Sequence, residues 1–190
     1  MKLIVLFGKP GAGKGTQAAF LKDKYNLCHI STGDIFRFNI KNETELGKKA
    51  QEYINQGQLV PDSLTINMLK SEVEKNMDKA GFLFDGFPRT IAQAEALDEF
   101  LSSINLEVTG TVGLEAEDDV LVARILERGK TSGRADDQDE AKIRTRYVEY
   151  NEKTAPLIDF YKAQNKYHAV NGIGSIEEIT ERLSKVIDNL

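Results

Sequence analysis

The residues best placed to do chemistry lie close to the N-terminus, where Gly8-Lys9-Pro10-Gly11-Ala12-Gly13-Lys14-Gly15-Thr16 follows an apolar run and opens a stretch of helical periodicity. Glycines at such a junction let backbone N–H groups wrap an anion. The helix N-terminus adds its positive end, and a lysine carries full charge to the outer oxygens of a phosphate chain. Gly11, Ala12, Gly13, Lys14, Gly15 and Thr16 therefore read as a phosphate-binding loop. The general pattern has Ser or Thr directly after the lysine. Here Gly15 intervenes, and Thr16 is the hydroxyl available to a metal.

A second constellation spans Gly81 to Gln93, GFLFDGFPRTIAQ. An apolar strand ending in a carboxylate, Asp85, can hold the water shell of a magnesium ion beside the phosphate loop, because magnesium keeps several waters and takes few protein ligands. Gly86 allows a sharp turn, Pro88 stiffens it, and Arg89 projects as a mounted fork toward a phosphate. The plainer alternative is a strand end with an ordinary Asp-Gly turn. The arginines cluster: Arg124, Arg128, Arg134, Arg144 and Arg146 lie close together, and Arg37 and Arg89 stand beside glycine-rich turns. Forked guanidinium groups concentrated in an acidic chain point to a small anion carrying several phosphates.

The elements that must position these groups follow from the hydrophobic pattern. Residues 2–7 form a continuous apolar run, as expected of a strand buried on both faces. Further runs at 27–30, 82–84, 107–114 and 167–170 alternate with helical periodicity. That order predicts an α/β fold of P-loop NTPase type, a parallel sheet with helices on both faces. A helix is predicted over 14–24. Residues 32–78 read as wholly helical, with a helix started by Pro61, and exceed what a crossover requires, so part should project as a small subdomain. A helix over 139–163 should kink or break at Pro156. Cys28 reads as a small buried strand residue, and His29 and His168, in strands outside the motifs, as structural.

Composition narrows the classes. A chain of 190 residues, 41% hydrophobic and 29% charged, suits one soluble domain, neither disordered nor membrane-embedded. The N-terminal apolar run ends at Gly8, too soon for a signal peptide or membrane span, so cytoplasmic residence and no membrane partner are expected. A net charge of −5 weighs against a nucleic-acid partner. One cysteine and two histidines give zinc no ligand cluster, so no structural zinc is expected.

With these motifs in hand, the chain resembles the adenylate kinase branch of the nucleoside monophosphate kinases over essentially its whole length. The resemblance extends to Ser31-Thr32-Gly33-Asp34-Ile35-Phe36-Arg37, Gly57-Gln58-Leu59-Val60, Ala123-Arg124, Arg128-Gly129, Thr131-Ser132-Gly133-Arg134-Ala135-Asp136-Asp137, Arg146 with Glu149-Tyr150, and Thr154-Ala155-Pro156. It implies a monomer that reversibly transfers the terminal phosphoryl group of ATP to AMP, giving two ADP, with Mg2+ accompanying ATP, and so serves adenine nucleotide homeostasis. It also implies one domain: a core of 1–30, 61–127 and 138–190, an acceptor-nucleotide-binding region 31–60 and a short lid 128–137.

The resemblance assigns roles residue by residue. Gly11 to Thr16 would wrap the ATP phosphates, with Arg128 on the same phosphates, Arg124 near the ATP adenine and Gly174 touching that base through backbone. Thr32 and Gln93 would meet the acceptor base, and Gln58, Leu59 and Val60 the acceptor nucleoside. Gly86, Phe87 and Pro88 would line the acceptor site beside Arg89, which with Arg37 would hold the acceptor phosphate. Arg134 and Arg146 would lie across the transferring group, so Lys14, Arg89, Arg128, Arg134 and Arg146 form the catalytic set. Two departures stand out. Only five residues separate Arg128 from Arg134, too few for the larger, zinc-binding type of lid. Arg134 and Arg146 are 12 apart, one more than the family pattern, so Arg144 competes with Arg146 for the role, and Glu149-Tyr150 favours Arg146.

Transfer to an already ionised phosphate needs no general base, and none of the motifs supplies a histidine. Without ligand Lys14 is expected to be solvated. A UMP/CMP kinase would use the same chemistry on a different base. A P-loop switch would need an Asn-Lys-x-Asp strand end, and the nearest approach, Asn165-Lys166-Tyr167-His168, puts histidine where the carboxylate belongs.

Overall fold

The alternation of apolar side chains along the first strand sets the architecture. A computed structural model describes residues 1–190, the side chain of Ala135 excepted. The elements run β1 (Lys2–Phe7), α1 (Lys14–Tyr25), β2 (Cys28–Ser31), α2 (Thr32–Lys41), α3 (Glu45–Asn55), α4 (Asp62–Lys75), β3 (Gly81–Asp85), α5 (Ile91–Ser103), β4 (Gly110–Glu115) and α6 (Asp118–Gly129). They continue through a 3-10 turn (Ala135–Asp137), α7 (Glu140–Glu149), a π turn (Tyr150–Thr154), α8 (Pro156–Ala163), β5 (Tyr167–Asn171) and α9 (Ile176–Asp188). The five strands form one parallel sheet in the order β2-β3-β1-β4-β5. Leu3, Val5 and Phe7 pack with Phe82 and Phe84 against Leu69, Val73, Leu97, Leu101, Leu157 and Tyr161 on one face. Ile4 and Leu6 pack with Leu83, Val112 and Leu114 against Leu21, Leu121, Ile179, Leu183 and Ile187 on the other. Helices cover both faces, as the apolar run of β1 requires.

The helical stretch 32–78 is three helices, and a satellite core of Phe36, Ala50, Val60 and Met68 joins them apart from the sheet. The breaks have local causes. Ser31 and Thr44 cap α2 and α3 with side-chain oxygens, and Gly57 takes a φ of +75° between α3 and α4. Pro61 stands one position outside α4, as its N-cap.

Three expectations need correction. Cys28 is half-buried, because it opens β2, an edge strand with a neighbour on one side only. The strand expected over 107–114 begins at Gly110, where β4 first pairs with β1, although Val108 before it is fully buried. The break at Pro156 falls upstream of it: Pro156 lacks an N–H, the chain runs as a π turn over 150–154, and Ala155 N donates to Tyr150 O.

Candidate active site

The phosphate loop joins the C-terminal end of β1 to α1, so it sits where parallel α/β sheets place their ligands. Gly11 and Gly13 have φ of +85° and +90°, and no side chain caps α1, which leaves its first N–H groups facing the cleft. Lys14 is only partly solvated: it lies half-buried and its ammonium donates to the carbonyls of Gly8 at 2.6 Å and Lys9 at 3.3 Å. Burial pulls it down to about 8; Asp85 opposes this, and the charges of Arg89, Arg146 and Arg128 add to it.

Asp85 ends β3, and register places Ser31 of β2 directly beside it. His29 lies two residues before Ser31, on the same face, and its Nε2 comes within 3.5 Å of Asp85 Oδ2. Burial pushes the Asp85 carboxyl up, but His29 and the charge of Lys14 outweigh it and hold it below the ordinary carboxylate range. His29 thus belongs to the site's surroundings, and the signal for it was its two-residue spacing from Ser31 along the strand. Asp85, Thr16 and Ser31 line one cleft with Gly11, Gly13, Lys14 and Gly15.

Next to it lies a pocket lined by Thr32, Arg37, Gln58, Leu59, Val60, Gly86, Arg89, Gln93 and Arg146, and also by Gly33, Phe36, Ile54, Gly57, Thr65 and Asp136. Gly86 has a φ of +76°, and a Cβ there would lie 2.7 Å from the Arg89 guanidinium and 3.1 Å from the Thr32 hydroxyl. The missing side chain lets Arg89 fold over the turn, where its Nε donates to Gly86 O at 2.7 Å and Thr32 donates to the same carbonyl at 2.8 Å. Thr154, at the end of the π turn, donates to Arg89 O at 2.9 Å. Burial and the nearby Arg146 charge push Arg89 down to about 10.

The arginines from 128 to 146 meet carboxylates. Arg128 donates through Nε and Nη2 to the fully buried Asp137 at 2.6 and 2.8 Å, and Arg146 reaches Asp137 at 2.7 Å and Asp136 at 3.0 Å. Arg134 lies 3.7 Å from Asp34, which also pairs with Arg37. Arg144 instead points outward, 76% exposed, and pairs with Glu140 one helical turn earlier. Arg146 lines the cavity at 18% exposure. Gly57 packs on α7, where a Cβ would lie 2.9 Å from Lys142 O and 3.2 Å from Arg146 Cγ, so the turn between α3 and α4 touches the helix that carries Arg146.

Most residues singled out in the sequence converge here. Lys14, Thr16, Arg37, Asp85, Arg89, Arg128, Arg134 and Arg146 share the phosphate cleft. Arg124 lies further along, donating to Gly172 O at 3.2 Å, and Arg182 holds Asn171 O and Ile173 O, so the loop bearing Gly174 is pinned by two arginines. The side chains of Phe87 and Ala12, each 1% exposed, pack in the core, leaving only their backbones for a ligand. Pro88 lines a second cavity with Lys14, Arg89, Glu149 and Tyr150. Asp62 was not singled out and Asp137 stood in a motif without a role; both accept hydrogen bonds from residues that were assigned one.

A family model described as "Adenylate kinase" matches residues 6–166. A protein named "Adenylate kinase" from Flavobacterium psychrophilum is 72% identical over 187 residues, 98% of this chain and 98% of its own. A namesake from Flavobacterium johnsoniae is 71% identical over the same shares of both chains. One from Leptospira biflexa is 46% identical over 98% of this chain and 100% of its own.

Proposed function

The chain belongs to the adenylate kinase family, and from that premise we propose how its residues divide the transfer of the terminal phosphoryl group of ATP to AMP, which gives two ADP. The observation that carries the assignment is that the phosphate cleft and the acceptor pocket are contiguous, sharing Gly33, Arg37, Arg89 and Arg146. The phosphate loop, Gly11 to Thr16, binds the ATP phosphates through backbone N–H groups and Lys14, while Arg124 and the backbone at Gly174 border the ATP base. Thr32, Gln93 and the 58–60 backbone bind the acceptor nucleoside beside Gly86, Phe87 and Pro88, and Arg37 and Arg89 bind its phosphate.

Arg128, Arg134 and Arg146 then surround the phosphoryl group in flight. Its negative charge spreads over oxygens, so preorganised cations stabilise it without a general base. The region 31–60 and the short lid 128–137 act as the closing parts around a core of 1–30, 61–127 and 138–190, aligning the two nucleotides and excluding water.

Magnesium accompanies ATP in this reading. Asp85, Thr16 and Ser31 offer oxygen donors beside the phosphate loop, the chemistry a hard, water-retaining cation prefers. Asp85 would hold its water shell, with Thr16 nearby. When bound, the ion neutralises charge on the phosphate oxygens.

Among the described residues no helix is long and apolar enough to cross a membrane. We take the enzyme to work as a cytoplasmic monomer on ATP, AMP and ADP alone.

The test is ADP formation in a coupled assay across AMP, UMP and CMP. AMP should be preferred by at least about 100-fold in kcat/KM, the scale of leaving buried polar groups unpaired by a mismatched base. Comparable rates with UMP would overturn the acceptor assignment, and ATP turnover unaffected by AMP would overturn the kinase reading.

A further inference from the structure

Gln93, which lines the acceptor pocket and is 2% exposed, has both ends of its carboxamide committed within the protein. Its Nε2 donates to Asp62 Oδ1 at 2.7 Å, and its Oε1 accepts from the backbone N–H of Arg89 at 2.8 Å. Asp62 is itself anchored. It is the first residue of α4, and the Thr90 hydroxyl, which caps α5, donates to its other oxygen at 2.9 Å. A carboxylate only accepts and a backbone N–H only donates, so these two neighbours dictate which end of the amide is oxygen and which is nitrogen. Turning the amide over would break both hydrogen bonds, setting oxygen against a carboxylate and NH2 against N–H.

The committed amide still has one hydrogen on Nε2 and one lone pair on Oε1 to offer a base. A 6-aminopurine presents an amino donor beside a ring-nitrogen acceptor. A 6-oxopurine presents the reverse on its Watson–Crick edge, a carbonyl acceptor beside an N–H donor. An amide free to turn over could match either, whereas one of fixed polarity matches only one.

We infer that Asp62 is a positioning residue for acceptor specificity: by fixing the polarity of the Gln93 carboxamide it admits a 6-aminopurine monophosphate and rejects a 6-oxopurine one. The inference rests on Gln93 facing the acceptor base, as proposed above. It gives Asp62 no contact with substrate, and its effect falls on the choice between two bases of nearly equal size rather than on the chemical step.

The experiment compares AMP with IMP, which differs from AMP only at position 6 and in the ring N–H. In Asp62→Asn the new side chain can turn either oxygen or NH2 toward Gln93, releasing the bias on that side with almost no change of shape. The AMP-to-IMP ratio of kcat/KM should fall at least about tenfold, chiefly through a lower KM for IMP, with the KM for ATP unchanged. Asp62→Ala, which removes the acceptor, should shift the ratio the same way. Gln93→Leu should collapse the ratio by losing AMP rather than gaining IMP. If Gln93→Leu collapses the ratio while both Asp62 variants lower AMP and IMP equally, Asp62 is structural and the inference fails. If Gln93→Leu leaves the ratio intact, Gln93 does not face the base, and both readings fail together.

Discussion

Lys14→Met separates what this lysine contributes to catalysis from what it costs the fold. Its ammonium is pulled from 10.5 to about 8, chiefly by burial. At about 1.36 kcal/mol for each pH unit, that drop costs roughly 3 kcal/mol at neutral pH, and on the order of 2 after allowing for partial solvent exposure. Methionine removes that cost but leaves the Gly8 and Lys9 carbonyls without their donor, a loss of about 1–3 kcal/mol. The two nearly cancel, so the thermal midpoint should stay within a few degrees of wild type. Turnover should not. Losing a cation aimed at charge that develops in the transition state lowers kcat by about 100-fold or more, roughly 2.7 kcal/mol. The coupled ADP assay and a thermal melt on the same preparation measure both. Near wild-type turnover would refute the assignment of the phosphate loop, and a melt lowered by ten degrees or more would refute the balance of terms.

Three further outcomes follow from the same geometry. Arg89→Lys keeps the charge but loses the fork over Gly86 and should lower kcat strongly, whereas Arg144→Lys, on an exposed ion pair, should be close to neutral; equal loss in both at saturating substrate would restore Arg144 as the functional arginine. Asp137→Asn should destabilise the fold by about 2–3 kcal/mol in a urea titration, since a buried carboxylate shared by Arg128 and Arg146 is lost, and no change would deny the pair any structural role. As pH rises through about 8 the free enzyme loses the Lys14 proton, so kcat/KM for ATP should fall about tenfold per pH unit. From there to 10.5 the unfolded chain holds a proton the folded chain lacks, so this group's contribution to stability rises with pH; a kcat/KM that held level to pH 10 would contradict the burial of Lys14.

How much of this was legible in the sequence depends on the range of each interaction. The strand-loop-helix around Lys14 is written in contiguous residues, and so is the Asp85 to Arg89 turn, because glycine and proline act on the backbone where they stand. The carboxylates that hold the arginines were not legible as partners. Asp137 lies 9 residues from both Arg128 and Arg146, and Asp62 lies 31 from Gln93. Nothing in local periodicity pairs them. That His29, read as structural, stands beside Asp85 was not legible because strand adjacency in a parallel sheet comes from topology: β2 lies beside β3 although three helices separate them in sequence. Lys14 was expected in solvent for a related reason, since its partners are carbonyls of its own loop, visible only once the loop is folded.

The charges of the site partly offset one another, and that constrains how it can bind. Lys14, Arg37, Arg89, Arg128, Arg134 and Arg146 face one cleft. Several depress their neighbours after burial has done so: Arg146 lowers Arg89, and Arg37 and Arg128 lower Arg134. Left alone, such a cluster would repel itself open. Asp34, Asp85, Asp136 and Asp137 offset it in place, so the cations outnumber the carboxylates among them six to four. An entering phosphate must therefore displace or share internal partners, and its net affinity is the difference between two strong interactions rather than the sum of all contacts. Arg37, Arg128, Arg134 and Arg146 meanwhile are held by those carboxylates, and Arg89 by the Gly86 carbonyl. On the proposed assignment, this is how the site avoids reorganising when charge spreads over the transferring group: the interaction that grows during transfer is with cations already fixed in position, and binding is kept moderate by the acids that fix them.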